Sequence, residues 1–161
     1  MKAATITEIK KELKFKSSEE LTLLCLRLSR FKKENKELLT YLLFESENEE
    51  AFIKGIKEEM DQLFWEINTN SYFYIKKSVR KILRGIKKYC RYSSKKETEV
   101  ELLLYFCKSL KEFTPPIRNN VTLTNLYQRQ IVFITNKVSL LHEDLQYDYA
   151  LELEALDRLK L

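Results

Sequence analysis

This chain contains very few residues that break regular secondary structure. Only two glycines and two prolines occur among its 161 residues, and the prolines are adjacent at Pro115 and Pro116. Glycine and proline are the residues that most often break regular structure, so their scarcity favours long helices with few sharp turns. A hydrophobic fraction of 44% is sufficient to bury a core in a chain of this length. We therefore expect an all-α fold and a single domain over residues 1–161.

Apolar residues recur three and four positions apart along most of the chain, which predicts about six to seven helices. Successive helix pairs at intervals of about 40 residues favour stacked helical hairpins, as in a HEAT-like solenoid. An irregular helical bundle is the alternative, because short hairpins also pack through the ridges and grooves of their side chains. No residue signature of a repeat family accompanies the pattern.

Two serine–glutamate pairs have the spacing of a capping box, in which both side chains satisfy free backbone amides at a helix start. They are Ser17 with Glu20 and Ser94 with Glu97, and each pair predicts that a helix begins just after its serine. Upstream of the first pair, residues 1–16 form a short amphipathic helix or fray.

The two prolines end one helix, so residues 114–120 are predicted to be a connection. After it, apolar residues follow alternating steps of three and four, which indicates that residues 121–161 form one long helix or two helices with a break near His142. The β-branched run "IVFIT" raises a strand as an alternative within this region.

The number and positions of the cysteines and of the histidine predict neither a metal site nor a disulfide bond. Cys25, Cys90 and Cys107 are odd in number and lie inside apolar helical patterns, which predicts buried free thiols. His142 is the single histidine, so most zinc sites and most acid–base catalysis near neutral pH are excluded. We expect no metal site.

Motifs for catalysis are also missing from the sequence. Gly55 and Gly85 are isolated, so neither of the glycine-rich loops that cradle nucleotide phosphates is present. We expect no catalytic residue, no cofactor and no enzymatic activity, and an enzyme of unrecognised class ranks only third among the functions considered. No apolar run reaches the roughly 18 residues of a membrane span, and the N-terminus lacks a signal-peptide core, so we expect a cytoplasmic location.

The stretch "IKKSVRKILRGIKKYCRY", from Ile75 to Tyr92, contains eight basic residues and no acidic one. On a helix with 100° per residue, its apolar residues share one face and its cations lie on the opposite face. Like charges three and four positions apart repel one another, so this basic face needs a compensating partner. The candidate macromolecule-binding residues are Lys77, Arg80, Lys81, Arg84, Lys88 and Arg91.

Four partners for the basic face remain open. Residues 45–66 carry eight acids and two lysines, and residues 143–161 carry six acids and two bases, so ion pairing inside the chain is the first alternative. An acidic protein, a nucleic acid and a membrane surface are the external alternatives. A nucleic acid would use the cations for its phosphates and tyrosines for its bases. Those tyrosines are Tyr72, Tyr74, Tyr89 and Tyr92.

Taken together, these features predict a non-enzymatic helical adaptor domain that binds an acidic macromolecular partner through the basic face. A protein partner is expected first, a nucleic-acid-binding module is the alternative, and a membrane is the least favoured partner. The leucine-rich C-terminal stretch "DYALELEALDRLKL" offers a helix that packs within the monomer or forms a homodimer.

Overall fold

The computed structural model describes residues 1–158, and regular structure in this range is helical throughout, which confirms the all-α prediction. The described range contains eight α-helices, slightly more than expected, with one π-helical turn at Tyr41–Glu45 and one 3-10 turn at Ile117–Asn119. The α-helices are α1 (Ile6–Leu13), α2 (Ser18–Phe31), α3 (Lys33–Thr40), α4 (Glu49–Trp65), α5 (Tyr72–Ser93), α6 (Lys96–Glu112), α7 (Val121–Val138) and α8 (Glu143–Arg158).

The chain divides into two compact units, Met1–Phe44 and a second unit that begins at Glu45. The division separates α1, α2 and α3 from the five longer helices. The prediction of a single domain over residues 1–161 is not tested by this division and stays a prediction.

The first unit contains three helices, two of which begin with a capping box, and it has little core. Ser17 and Glu20 form the predicted capping box at the start of α2, and Thr5 with Glu8 forms a second one at α1, so residues 1–16 contain a helix. Most of the apolar side chains in this unit are exposed, and its one buried apolar residue is Tyr41.

The second unit is a bundle built around α6. This helix packs against α4, α5, α7 and α8, whereas a solenoid element would contact only its neighbours in the stack. A helix that is buried on several sides must be apolar around most of its circumference, and α6 has this composition. Its buried apolar residues are Val100, Leu102, Leu103, Leu104, Phe106, Cys107 and Leu110.

Two alternatives for the C-terminal part of the chain are resolved. Residues 121–158 form two helices, since α7 ends at Val138 and α8 begins at Glu143, next to the predicted break at His142. The run "IVFIT" lies inside α7, so the strand alternative is wrong. Tertiary packing of its apolar face against α6 outweighs the β-branched composition.

Two local predictions are wrong. Ser94 does not cap α6, because it has a left-handed backbone conformation (φ 57°) at the end of α5, and the N-cap of α6 is Lys95. Cys25 is exposed, although its position in an apolar pattern predicted burial, because α2 belongs to the unit with almost no core. Cys90 and Cys107 are buried free thiols, as expected.

Candidate functional site

Helix α5 is continuous from Tyr72 to Ser93, and the cations of the basic stretch lie along one of its faces. Its opposite face packs against α4 and α6 and is buried along about four turns, which fixes the helix in rotation. The cations therefore point away from the core of the second unit. The buried positions are Ile75, Val79, Ile82, Leu83, Ile86 and Cys90, the apolar face that the sequence predicted.

Five of the six candidate residues are exposed: Lys77, Arg80, Lys81, Arg84 and Arg91. The sixth, Lys88, is half-buried instead. Its ammonium nitrogen lies 5.0 Å from the centroid of the Tyr89 ring and 5.9 Å from that of the Tyr92 ring. Lys88 is thus held by aromatic faces, in a cation–π arrangement, and differs from the other five cations.

Pairing within the chain does not neutralise the exposed part of this face. Among residues 1–156, whose side chains the structure describes, no carboxylate oxygen lies within 4.0 Å of the charged nitrogens of Lys77, Arg80, Lys81, Arg84 or Arg91. Like charges therefore stand side by side over four turns, at a cost of roughly 0.2–0.5 kcal/mol per neighbouring pair.

Two acidic residues of α4, the helix whose carboxylates the sequence suggested as internal partners, accept hydrogen bonds from tyrosines instead of pairing with these cations. Asp61 accepts a hydrogen bond from the hydroxyl of Tyr105 on α6 at 2.9 Å. Glu59 accepts one from Tyr89 of α5, also at 2.9 Å, at the margin of the basic face. Nearby cations that do form ion pairs belong to other helices, such as Lys57, whose Nζ lies 2.7 Å from Glu101.

A groove of about 570 Å³ follows the N-terminal two thirds of the basic face. Three candidate residues line it, and Lys76 and Lys87 add two further cations that belong to the same face but were not among the candidates. Leu83, which is 9% exposed, forms an apolar part of the wall. The lining residues are Phe73, Lys76, Lys77, Arg80, Leu83, Arg84 and Lys87.

Phe73 is the functional candidate that the sequence analysis missed. Its side chain is 67% exposed, although it lines the groove and belongs to the first turn of α5. Counting backwards from Ile75 at 100° per residue places Phe73 at about 160°, in the middle of the cationic arc. Extending the helical wheel by two residues would have identified it.

The tyrosines proposed for base stacking are mostly engaged in other contacts. Tyr92 is buried, and the hydroxyl of Tyr72 donates a hydrogen bond to the Pro116 carbonyl at 2.8 Å. Tyr89 is bonded to Glu59, as described above. Tyr74 is exposed, and its ring lies edge-on to that of Phe73 with centroids 5.4 Å apart. Of these aromatic side chains, Phe73 and Tyr74 are the two that are exposed.

A second cavity of about 640 Å³ lies between α4, α6 and α8 and is lined by residues of both charges. Burial and the hydrogen bond to Asp61 raise the pKa of Tyr105, and burial together with Glu101 raises the pKa of Tyr149 to about 12. Both tyrosines therefore remain protonated near neutral pH, and the hydroxyl of Tyr105 donates its hydrogen bond to Asp61. Neither has a pKa suited to general acid–base catalysis at that pH.

Two other kinds of site are absent from the part of the chain that the structure describes. No group of three or more histidine, cysteine or acidic side chains is arranged to hold a metal ion within residues 1–158. None of the helices in that range combines the length and apolar character that a membrane crossing requires.

Comparison with known proteins adds no further constraint. No protein-family model matches the chain, and no curated protein or solved structure matches it either.

Proposed function

We propose that this protein is a non-enzymatic helical adaptor that binds an acidic macromolecule through the basic face of α5. One observation carries the proposal: a row of exposed cations that no carboxylate of residues 1–156 neutralises. Bringing a polyanion to this row would remove the repulsion between neighbouring cations and release counterions.

The rigidity of α5 supports binding rather than a merely solvated surface. The buried face of the helix includes Ile75 and Val79, both 0% exposed, so the spacing of the cations is set before any ligand arrives. A surface that is already in its binding geometry loses less conformational entropy on association. Charges on a mobile tail would lack this advantage.

The membrane alternative is disfavoured by the position of the apolar face of α5. An interfacial helix must insert its apolar side among the lipids. In this helix that side includes Ile82, Ile86 and Cys90, which are 3–5% exposed and pack inside the second unit. Lipid binding through α5 would therefore require the bundle to open.

The test compares two charge-reversal variants of equal net charge. The face variant is K77E/R80E/R84E, and the control variant is K96E/R118E/R129E, which changes three exposed cations outside α5. Binding of a fluorescent 20-residue polyglutamate and of a fluorescent dT20 is measured by anisotropy, and the melting temperature of each variant is recorded.

We expect the face variant to lose at least tenfold in affinity for any polyanion that the wild type binds, whereas the control variant loses much less. The melting temperature should not fall in either variant, since none of the reversed residues has an ion-pair partner among residues 1–156. Equal losses in both variants would show a general charge effect and contradict the proposal. So would wild-type binding of both polyanions weaker than about 10⁻⁴ M at physiological salt.

A further inference from the structure

The groove along α5 combines two kinds of surface that an acidic protein does not require together. Five cations line it, and none of them has a carboxylate within 4.0 Å among residues 1–156. Phe73 and Leu83 add apolar surface to the same wall. A ligand that fills this groove should therefore carry regularly spaced negative charges beside flat apolar groups.

The exposure of Phe73 is the second observation. An aromatic ring that is 67% exposed in the first turn of a helix contributes little to the core of the second unit. Among residues 1–156 its ring packs against one other aromatic ring, that of Tyr74, at 5.4 Å between centroids and 80° between planes. A ring in this position can accept a planar group without disturbing the fold.

We propose that the macromolecule bound by α5 is a single-stranded nucleic acid, with phosphates along the cations and a base stacked on Phe73. This inference rests on the function proposed above and specifies its ligand. Unpaired bases stack on aromatic side chains with little dependence on sequence, while the backbone follows a positively charged groove. From residue 73 to residue 87 the helix rises about 21 Å, enough for several consecutive phosphates.

A duplex and an acidic protein fit the same surface less well. In a duplex the bases are stacked on one another, so Phe73 would have no base to contact and only the cations would contribute. An acidic peptide supplies carboxylates but no flat aromatic surface at each charge. The contribution of Phe73 therefore separates the three ligands.

The experiment measures anisotropy with labelled dT20, a 20-base-pair duplex and a 20-residue polyglutamate over a salt series. The variants are F73A, F73L, which keeps apolar area without an aromatic ring, and F73W, which keeps the ring face. The matched control is F15A, because Phe15 is 84% exposed and belongs to the first unit. The face variant K77E/R80E/R84E is measured in parallel.

We expect F73A and F73L to weaken dT20 binding by about 5- to 150-fold. F73W and F15A should bind dT20 as tightly as the wild type does. All four single variants should bind the 20-base-pair duplex with the affinity of the wild type. If five phosphates are neutralised, the logarithm of the dT20 association constant should fall with the logarithm of salt concentration with a slope of about −3.5.

Two outcomes overturn the inference and leave the proposed function intact. In the first, F73A binds dT20 as the wild type does while the face variant loses binding. In the second, polyglutamate binds as tightly as dT20. If the face variant itself retains full affinity for every polyanion, the proposed function fails as well.

Discussion

Glu49 joins the ends of three helices through one carboxylate that is 17% exposed. It is the first residue of α4, it accepts hydrogen bonds from the hydroxyls of Ser93 and Thr98, the latter at 2.6 Å, and it lies 3.0 Å from Nζ of Lys95. A negative charge at a helix N-terminus is further stabilised by the helix dipole. One side chain thus connects the end of α5 and the start of α6 to the start of α4.

The three cysteines should differ sharply in reactivity. Burial raises the pKa of the Cys90 and Cys107 thiols to about 12, so neither forms a thiolate at pH 8, whereas Cys25 is exposed. Because the thiolate is the reactive species, we expect one thiol per chain to react rapidly with Ellman's reagent at pH 8 in the native protein, and three after denaturation.

The variant C25S identifies that thiol. It should show no rapid native reaction and two thiols after denaturation. Rapid labelling of a second thiol in the native protein would contradict the burial of Cys90 and Cys107.

The link between α5 and α6 depends on Ser94, whose φ of 57° is in the left-handed region. Side chains with a β-carbon are disfavoured there, and glycine is the usual residue at this position after a helix. The backbone amide of Ser94 still bonds to the Cys90 carbonyl at 2.9 Å, so the turn itself is well formed. The Glu49 carboxylate, which accepts hydrogen bonds from Ser93 and Thr98, holds the residues on both sides of this turn.

Replacing Ser94 with glycine should therefore stabilise the protein by about 0.5–1 kcal/mol. The free energy of unfolding is measured by urea denaturation, with the slope of the transition unchanged. The matched control is S78G, which places glycine inside α5 and should destabilise by a similar amount. An S94G variant that is less stable than the wild type would contradict this account of the turn.

Apolar burial is divided very unequally between the two units. Of the 28 buried apolar residues in the described chain, 27 lie in the second unit, and the exception is Tyr41. Of the 22 large apolar side chains that are exposed, 14 lie within residues 1–44. Because hydrophobic burial is the main stabilising term in folding, the second unit should hold most of the stability of the molecule.

A fragment of residues 45–161 should accordingly fold by itself. We expect a cooperative thermal transition within about 5 °C of that of the full chain, a shift equivalent to about 1–2 kcal/mol, because nearly all of the buried apolar residues lie in the fragment. Circular dichroism at 222 nm on both proteins is the measurement. A fragment without a cooperative transition would show that the first unit completes the core, as a single domain requires.

Local sequence pattern by itself determined the helical fold class, the buried face of α5 and the exposure of cations such as Arg80 and Arg84. These properties follow from side-chain spacing along one helix, which repeats every 3.6 residues and needs no knowledge of distant contacts. The capping box of Ser17 and Glu20 could also be predicted from the sequence, because its two residues lie only three positions apart.

Only the tertiary structure decided which charges are neutralised, which cysteines are buried and whether the helices form a solenoid or a bundle. Each of these depends on residues far apart in the chain, as Glu49 and Thr98 or Asp61 and Tyr105 are. The acids of residues 45–66 looked sufficient to neutralise α5, yet the fold directs Asp61 to α6 instead. Net charge is a property of composition, whereas ion pairing depends on distances of a few ångströms.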